Sequence, residues 1–246
     1  GPGRTQGTTI KASKIFSLVP ARRKFLKSVA TEYRYILDTF INLALTAKQI
    51  RFRLIKNGKV QLDLLATESI LNRILDLNPA ISNQDLIELN FEQPGYELKG
   101  YVIRPGISSP SNPKQYLFLN YRFIHSPLVN KAIKEGYATS IMSSSNPSYF
   151  IFLKLDTDKF DINVHPRKLE VRFENPTKIF SIVKNAVAFH LEKSMQNDFR
   201  ERFKENKKAE QISKPIGKGR AAQDFLDFEA KDKKDVNASI EFTKNI

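Results

Sequence analysis

The residues best placed to do chemistry lie in one basic turn, His165-Pro166-Arg167-Lys168. A lysine ammonium is a compact, strongly hydrated point charge with three donors. Mounted stiffly, it can be directed at a phosphate. The flanking sequence supplies such a mount. Tyr149 to Leu155 is a run of aromatic and branched apolar residues, which predicts a buried strand. A second strand is predicted from Asp161 until Pro166 halts it after His165, because proline has no N–H for a ladder and biases its predecessor to extended geometry. Leu169, Val171 and Phe173 then alternate with Glu170 and Arg172, the period of a half-buried strand. On residue types alone the alternative is an ordinary solvated turn.

Other chemistry finds little footing. His125, His165 and His190 are far apart and lack metal-ligand spacing, so they read as structural. The chain has no cysteine, which removes disulfides, thiolate metal sites and thiol catalysis. It has no Gly-x-Ser-x-Gly elbow and no Walker-type loop, and Gly217-Lys218-Gly219 does not join a strand to a helix. Carboxylates are scattered. By itself the chain does not read as a complete enzyme.

The elements that must position the turn can be taken in order. Thr8 to Phe16 alternates like a strand, and Pro20 suits the first turn of a helix. Ile36, Leu37, Phe40, Ile41 and Ala44 make a helical stripe within Thr31 to Ala47. Asn57-Gly58 between alternating apolar residues predicts a hairpin over residues 50–64. A short helix from Ser69 to Leu77 follows, ending at Asn78-Pro79. Leu86 to Phe91, Tyr96 to Ile103 and Tyr116 to Leu119 read as strands, the last closed by Asn120-Tyr121-Arg122. Pro127 to Ile141 reads as a helix with Leu128, Ala132, Ile133 and Tyr137 inward. Asn175-Pro176 opens another, running through Ile179, Ile182, Val183, Ala186 and Phe189. The pattern predicts an α+β domain, its helices on one face of a mixed sheet. Past Met195 the chain turns Lys/Glu/Asn-rich and reads as a disordered linker.

With 246 residues, 41% of them hydrophobic, the chain is long enough for one or two cores. The net charge of +14 favours a polyanionic partner such as nucleic acid or a nucleotide. No apolar run approaches the ~18 residues of a membrane span, and there is no signal-peptide core, so a soluble intracellular protein is expected. Residue 1 is glycine in a loop-like opening, which suggests a piece of a longer protein.

Five blocks carry a family resemblance: Gly7-Thr8-Thr9, Pro20-Ala21-Arg22-Arg23-Lys24-Phe25-Leu26, Asn57-Gly58-Lys59, Phe118-Leu119-Asn120-Tyr121-Arg122, and the run from Asp161 to Phe173. In this order and spacing they resemble the MutL family of DNA mismatch repair proteins, over residues 7 to about 195. The resemblance implies that 1–66 are the C-terminal portion of an ATPase domain of the gyrase, Hsp-type chaperone, histidine kinase and MutL superfamily, an α/β sandwich. It implies that 67–195 are a ribosomal-protein-like α+β transducer domain with a mixed sheet, and 196–246 a flexible linker. Lys168 then stands where the family's lysine contacts the ATP γ-phosphate, and Thr8 beside the adenine pocket. A plain strand threonine is the alternative for Thr8.

The superfamily's catalytic glutamate and magnesium-binding asparagine, its Asp-x-Gly-x-Gly motif and its glycine-rich lid do not occur here. ATP and magnesium are therefore expected of the complete parent, not tightly of this chain. Further implied partners are DNA through its backbone, a mismatch-recognition protein of the MutS type, and a homo- or heterodimer partner. The expected localisation is cytoplasmic and nucleoid-associated in a bacterium, nuclear in a eukaryote. Two departures matter. Leu18 replaces a common asparagine, and the arginines of several relatives before the next helix are absent from His125-Ser126-Pro127. DNA contact would fall to Arg122, Lys131 and Lys134, for whose lysines a solvated helix face is the alternative. Gln223, Leu226 and Phe228 have the Gln-x-x-Leu-x-Phe shape of peptides that dock on sliding clamps, a pattern that also recurs by chance. The competing function is a non-enzymatic nucleic-acid-binding module that shares only the second domain's fold.

Overall fold

A computed structural model describes residues 7–107, 113–140, 146–162 and 169–212. The chain divides into two compact units, Gly1–Glu192 and Lys193–Ile246. Lys168 and the connection 163–168 lie outside the described residues, as do Gln223, Leu226 and Phe228.

The first unit begins with irregular backbone. The strand expected over Thr8 to Phe16 does not form; residues 7–15 are exposed coil and bend. A strand exists only through its ladder, and no described strand pairs with this stretch. Lys14 and Phe16 also take positive φ, at 52° and 63°, which ends any extended run. α1 (Pro20–Arg23) starts on its proline as expected. α2 (Val29–Thr46) is capped by Ser28, whose side chain accepts from the Thr31 N–H. Of the expected inward stripe of α2, only Ala44 is fully buried, with Leu45 beside it, and Ile36 stays 55% exposed. The Asn57-Gly58 hairpin forms between β1 (Phe52–Lys56) and β2 (Lys59–Leu64). Both turn residues take positive φ, 51° and 74°, the geometry that asparagine and glycine permit.

α3 (Ile70–Leu77) is capped by Ser69 and ends at Asn78. A five-stranded sheet follows in the order β3-β4-β7-β5-β6. Its strands are β3 (Leu86–Gln93), β4 (Tyr96–Ile103), β5 (Gln115–Leu119), β6 (Arg122–Phe123) and β7 (Tyr149–Leu155). β5 and β7 pair in parallel and the other neighbours antiparallel, so the sheet is mixed as expected. A parallel pair needs a crossover. That crossover carries α4 (Pro127–Tyr137), capped by Ser126.

β7 sits centrally, which explains its apolar run from Tyr149 to Leu153, where a strand covered on both faces has no polar side to alternate with; Lys154 then emerges into solvent. Its aromatics stack on those of β5 in register, Phe150 on Tyr116 at 5.4 Å and Phe152 on Phe118 at 4.9 Å.

α5 (Pro176–Ile212) is capped by Asn175, which accepts from the Lys178 N–H at 2.9 Å. Within the first unit it buries Ile179, Ile182, Val183, Ala186, Val187 and Leu191, whereas Phe189 is 61% exposed. Position 189 falls off the face set by the 179/183/187 series. α4 and α5 meet at Gly136, where an added Cβ would sit 2.7 Å from Val187 Cβ. In the second unit the helix continues to Ile212, so the stretch expected to be linker from residue 196 begins as helix.

Candidate functional site

The residues flanking the 163–168 connection form a small two-stranded sheet. β8 (Phe160–Asp161) and β9 (Arg172–Phe173) pair antiparallel, with Asp161 opposite Arg172. Leu169, Val171 and Phe173 alternate inward with exposed Glu170 and Arg172, as the sequence pattern requires. The returning arm is fastened to the main sheet by a bond absent from any sequence motif. The His125 N–H donates to the Leu169 carbonyl at 2.7 Å, and His125 bridges Glu170 in parallel. The His125 ring stands edge-on to Phe123 at 4.8 Å. At the other end the Glu174 N–H donates to Lys159 O at 2.9 Å. The two arms flanking the 163–168 connection are thus bonded to each other, and the returning one also to His125.

Leu169 also lines a cleft of about 600 Å³ between α2 and the β5–β6 edge. α2 contributes Arg34, Asp38 and Asn42; the sheet side contributes Lys114, Tyr116 and His125. The cleft is polar and mixed in charge. Asn42 Oδ1 is buried there without a hydrogen-bond partner, which leaves an acceptor for a donor-bearing occupant. Burial, and secondarily the Asp38 carboxylate, push the Tyr116 phenol up to about 12. Tyr116 is a neutral hydroxyl at any physiological pH.

These residues do not by themselves build a nucleotide pocket. Arg34 and Lys114 suit phosphate oxygens, but Asp38 and the Asn42 carbonyl repel them, and no glycine-rich cradle enters the cleft. Among the described residues, no group of three His, Asp or Glu side chains gathers where a metal ion would be held. The described residues supply two bonded arms on either side of the 163–168 connection and a polar cleft beside the returning one.

The other expected site residues scatter. Thr8 is exposed and outside any ladder. Arg122 is exposed on β6. Lys131 and Lys134 lie on α4, where Lys131 stands 4.0 Å from Glu135, which also meets Lys184 at 3.1 Å. Such exposed pairs are weak enough to exchange for a phosphate. Sequence reasoning missed the bonds that three residues make between elements. His125 pins the motif arm. Asn120 clamps β7, its amide donating to Leu155 O and its carbonyl accepting from Leu155 N, both at 2.9 Å. Arg73, fully buried, donates to Lys48 O and Ile50 O at 2.7 and 2.9 Å. The one available signal was an arginine on the apolar face of a short helix.

Residues 78–192 match the family model described as DNA mismatch repair protein, C-terminal domain. The chain is 35% identical over 182 residues to the DNA mismatch repair protein MutL of Kosmotoga olearia, covering 74% of this chain and 30% of the relative. The structure is similar to a crystal structure of the N-terminal domain of a DNA repair protein, with TM-score 0.59, 20% identity and coverage of 72% of this chain and 59% of that one. It is also similar to a mutant form of the Aquifex aeolicus MutL ATPase domain, with TM-score 0.50, 22% identity and coverage of 71% and 59%. At those identities the structural likeness speaks to fold alone. Among the described residues no helix is long and apolar enough to cross a membrane. The chain belongs to the MutL family of DNA mismatch repair proteins and spans about 30% of the length of the curated relatives it matches.

Proposed function

We propose that this chain is the nucleotide-sensing and DNA-contacting part of a MutL-type repair ATPase, with residues 1–66 closing the ATPase domain, 67–195 forming the transducer domain and 196–246 a linker. Lys168 directs its ammonium at the γ-phosphate of ATP bound in the complete protein. The observation that carries this reading is the mounting of the motif. The β8–β9 pair and the His125–Leu169 bond fasten both sides of the 163–168 connection, with Leu169 at the rim of the α2 cleft. A cation so held distinguishes a triphosphate from a diphosphate, because only the former places charge within its reach. Arg73 ties the segment before residue 66 to the α3 start of the transducer domain, which lets a nucleotide contact in one be felt in the other.

In the full-length protein, Lys168→Ala lowers ATP turnover by about 10²-fold, the scale for losing one preorganised charge contact. ADP affinity stays near wild type in equilibrium dialysis. Wild-type turnover in that variant would overturn the role of Lys168. Arg122, Lys131 and Lys134 contact DNA phosphates, supported by the +14 net charge. Thr8 borders the adenine site. MutS-type and dimer partners, and a sliding clamp engaged through Gln223, Leu226 and Phe228, belong to the same reading. Retention on immobilised clamp that survives Leu226→Asp with Phe228→Asp would remove the last of these.

A further inference from the structure

Between β5 and β6, the Asn120-Tyr121 turn holds a strained aromatic in the open. Tyr121 takes φ 66° and is 74% exposed. A bulky side chain rarely adopts that left-handed geometry. The surroundings impose it. Asn120, itself at φ 46°, is bonded to β7 through its N–H to Leu153 O and through both ends of its side chain to Leu155. Strain that the fold enforces on an exposed ring marks a surface that uses the ring.

Beside Tyr121 lies a cavity of about 240 Å³, open at one side. Leu45, Ile70, Phe152 and Leu153 give it an apolar lining, and Lys48, Lys99 and Lys154 stand around it against a single carboxylate, Glu97. Glu97 orients two of the lysines, at 2.5 Å from Lys99 and 3.7 Å from Lys154. Lys99 and Lys154 are 54% and 66% exposed, so their remaining donors face solvent.

We infer that this cavity is a docking site for an acidic peptide segment of a protein partner, which seats one large aliphatic or aromatic side chain in the cavity beside Tyr121 and lays flanking carboxylates on Lys99 and Lys154. Charge complementarity selects an acidic occupant. The lining decides between peptide and nucleic acid. A nucleobase needs donors and acceptors for its edge, and an edge buried without them costs a lost hydrogen bond for each group. Here both ends of the Asn120 amide are bonded to Leu155, and the Lys48 ammonium gives one of its N–H groups to Glu68 O. Leu45, Ile70 and Leu153 offer a base nothing, but suit a leucine or phenylalanine side chain.

The test uses the full 246-residue chain and two fluorescein-labelled probes, the peptide Asp-Glu-Asp-Leu-Phe-Asp-Glu-Asp and an oligothymidylate, read by anisotropy. The peptide should bind about tenfold more tightly than its version with Ser-Ser in place of Leu-Phe, and the double variant Tyr121→Gly with Lys154→Glu should weaken it by about tenfold or more. Tyr121→Gly relieves the backbone strain and Lys154 is exposed, so the variant folds; an unchanged melting curve verifies this. Oligothymidylate affinity should fall by about threefold or less in the double variant, the share owed to the changed charge. The inference is overturned if the peptide does not bind at millimolar concentration, if the Ser-Ser peptide binds equally well, or if the double variant loses as much affinity for oligothymidylate as for peptide.

Discussion

Residues 7–66 and the sheet that follows are built by different means. The sheet region buries a continuous core that includes Leu89, Leu98, Phe118, Ile133, Phe150 and Val183, all essentially inaccessible. The earlier region has regular helix and hairpin but buries only Ala44, Leu45 and Leu64, while Leu18, Phe25, Val29 and Ile36 stand open. Its elements are written by local devices: the Ser28 cap, the Asn57-Gly58 turn, and the Asp63 carboxylate held by Arg51 and Arg53 at 2.8 and 2.6 Å. Local signals thus draw secondary structure without much burial, whereas stability has to come from the sheet and the helices packed on it.

The largest effect that would break this contrast is a cavity. Phe118 is fully buried and stacked on Phe152. Phe118→Ala should cost about 3–5 kcal/mol in urea denaturation, while Ile36→Ala, at a 55% exposed site, should change stability by about 0.5 kcal/mol or less. Comparable losses at the two positions would mean that the first region carries a core of its own.

Next in size is the alkaline limit, which belongs to the sheet region alone. Tyr116, Tyr137 and Tyr149 are buried there, and burial pushes all three phenols up, Tyr116 to about 12. Tyr137 donates to Ile103 O and Tyr149 to Asn130 Oδ1, bonds that need the proton. A raised folded-state value means stability that is fully present below the unfolded value near 10 and is lost as pH rises through the window up to the folded value. Tyr116 alone should remove about 2–3 kcal/mol between pH 10 and 12. Urea midpoints measured across that range should fall steeply, and a flat profile would contradict the burial of these rings.

Much of the fold could be read in advance where one residue type answers one backbone need. Pro20, Pro127 and Asn175-Pro176 announced helix starts, and Asn57-Gly58 announced its turn. The failures share a cause as well. Thr8 to Phe16 has the composition of a strand, but a ladder needs a neighbour and composition cannot supply one. Lys168 stands out as a candidate because its motif is contiguous in sequence. The cleft beside its arm was not, because Arg34, Asn42, Tyr116 and Leu169 meet only once α2 lies against the sheet edge. Asn120 and His125 act through backbone groups 30 to 45 positions away, and no local pattern encodes such a partner.

Arg73 bonds the two regions through Lys48 O and Ile50 O, alongside the Lys48 contacts with Thr67 and Glu68. Replacing it with methionine leaves Ile50 O without its donor, which should cost about 1–3 kcal/mol. The loss is tempered because Arg73 Nε and Nη1 are buried without partners and vanish with it. Lys48 O keeps the Thr67 N–H at 3.0 Å. The informative readout is cooperativity. Arg73→Met should lower the denaturant slope of the main transition and separate the unfolding of residues 29–64 from that of the sheet. A single transition with unchanged slope would show that other contacts join them.

The smallest effect probes the first region from within. Gly58 holds φ 74° with open space around its Cα, so alanine there meets strain but no clash. Gly58→Ala should cost about 1 kcal/mol, the left-handed penalty for an L-residue. If residues 52–64 open locally, that cost appears as roughly fivefold faster amide exchange at Val60 and Leu62 while the global urea midpoint stays put. A midpoint shift of full size would instead mean that the hairpin opens only when the sheet unfolds. The shallow burial of β1 and β2, half-exposed along most of their length, argues for the first outcome, because a two-stranded ribbon with little apolar cover is marginal alone.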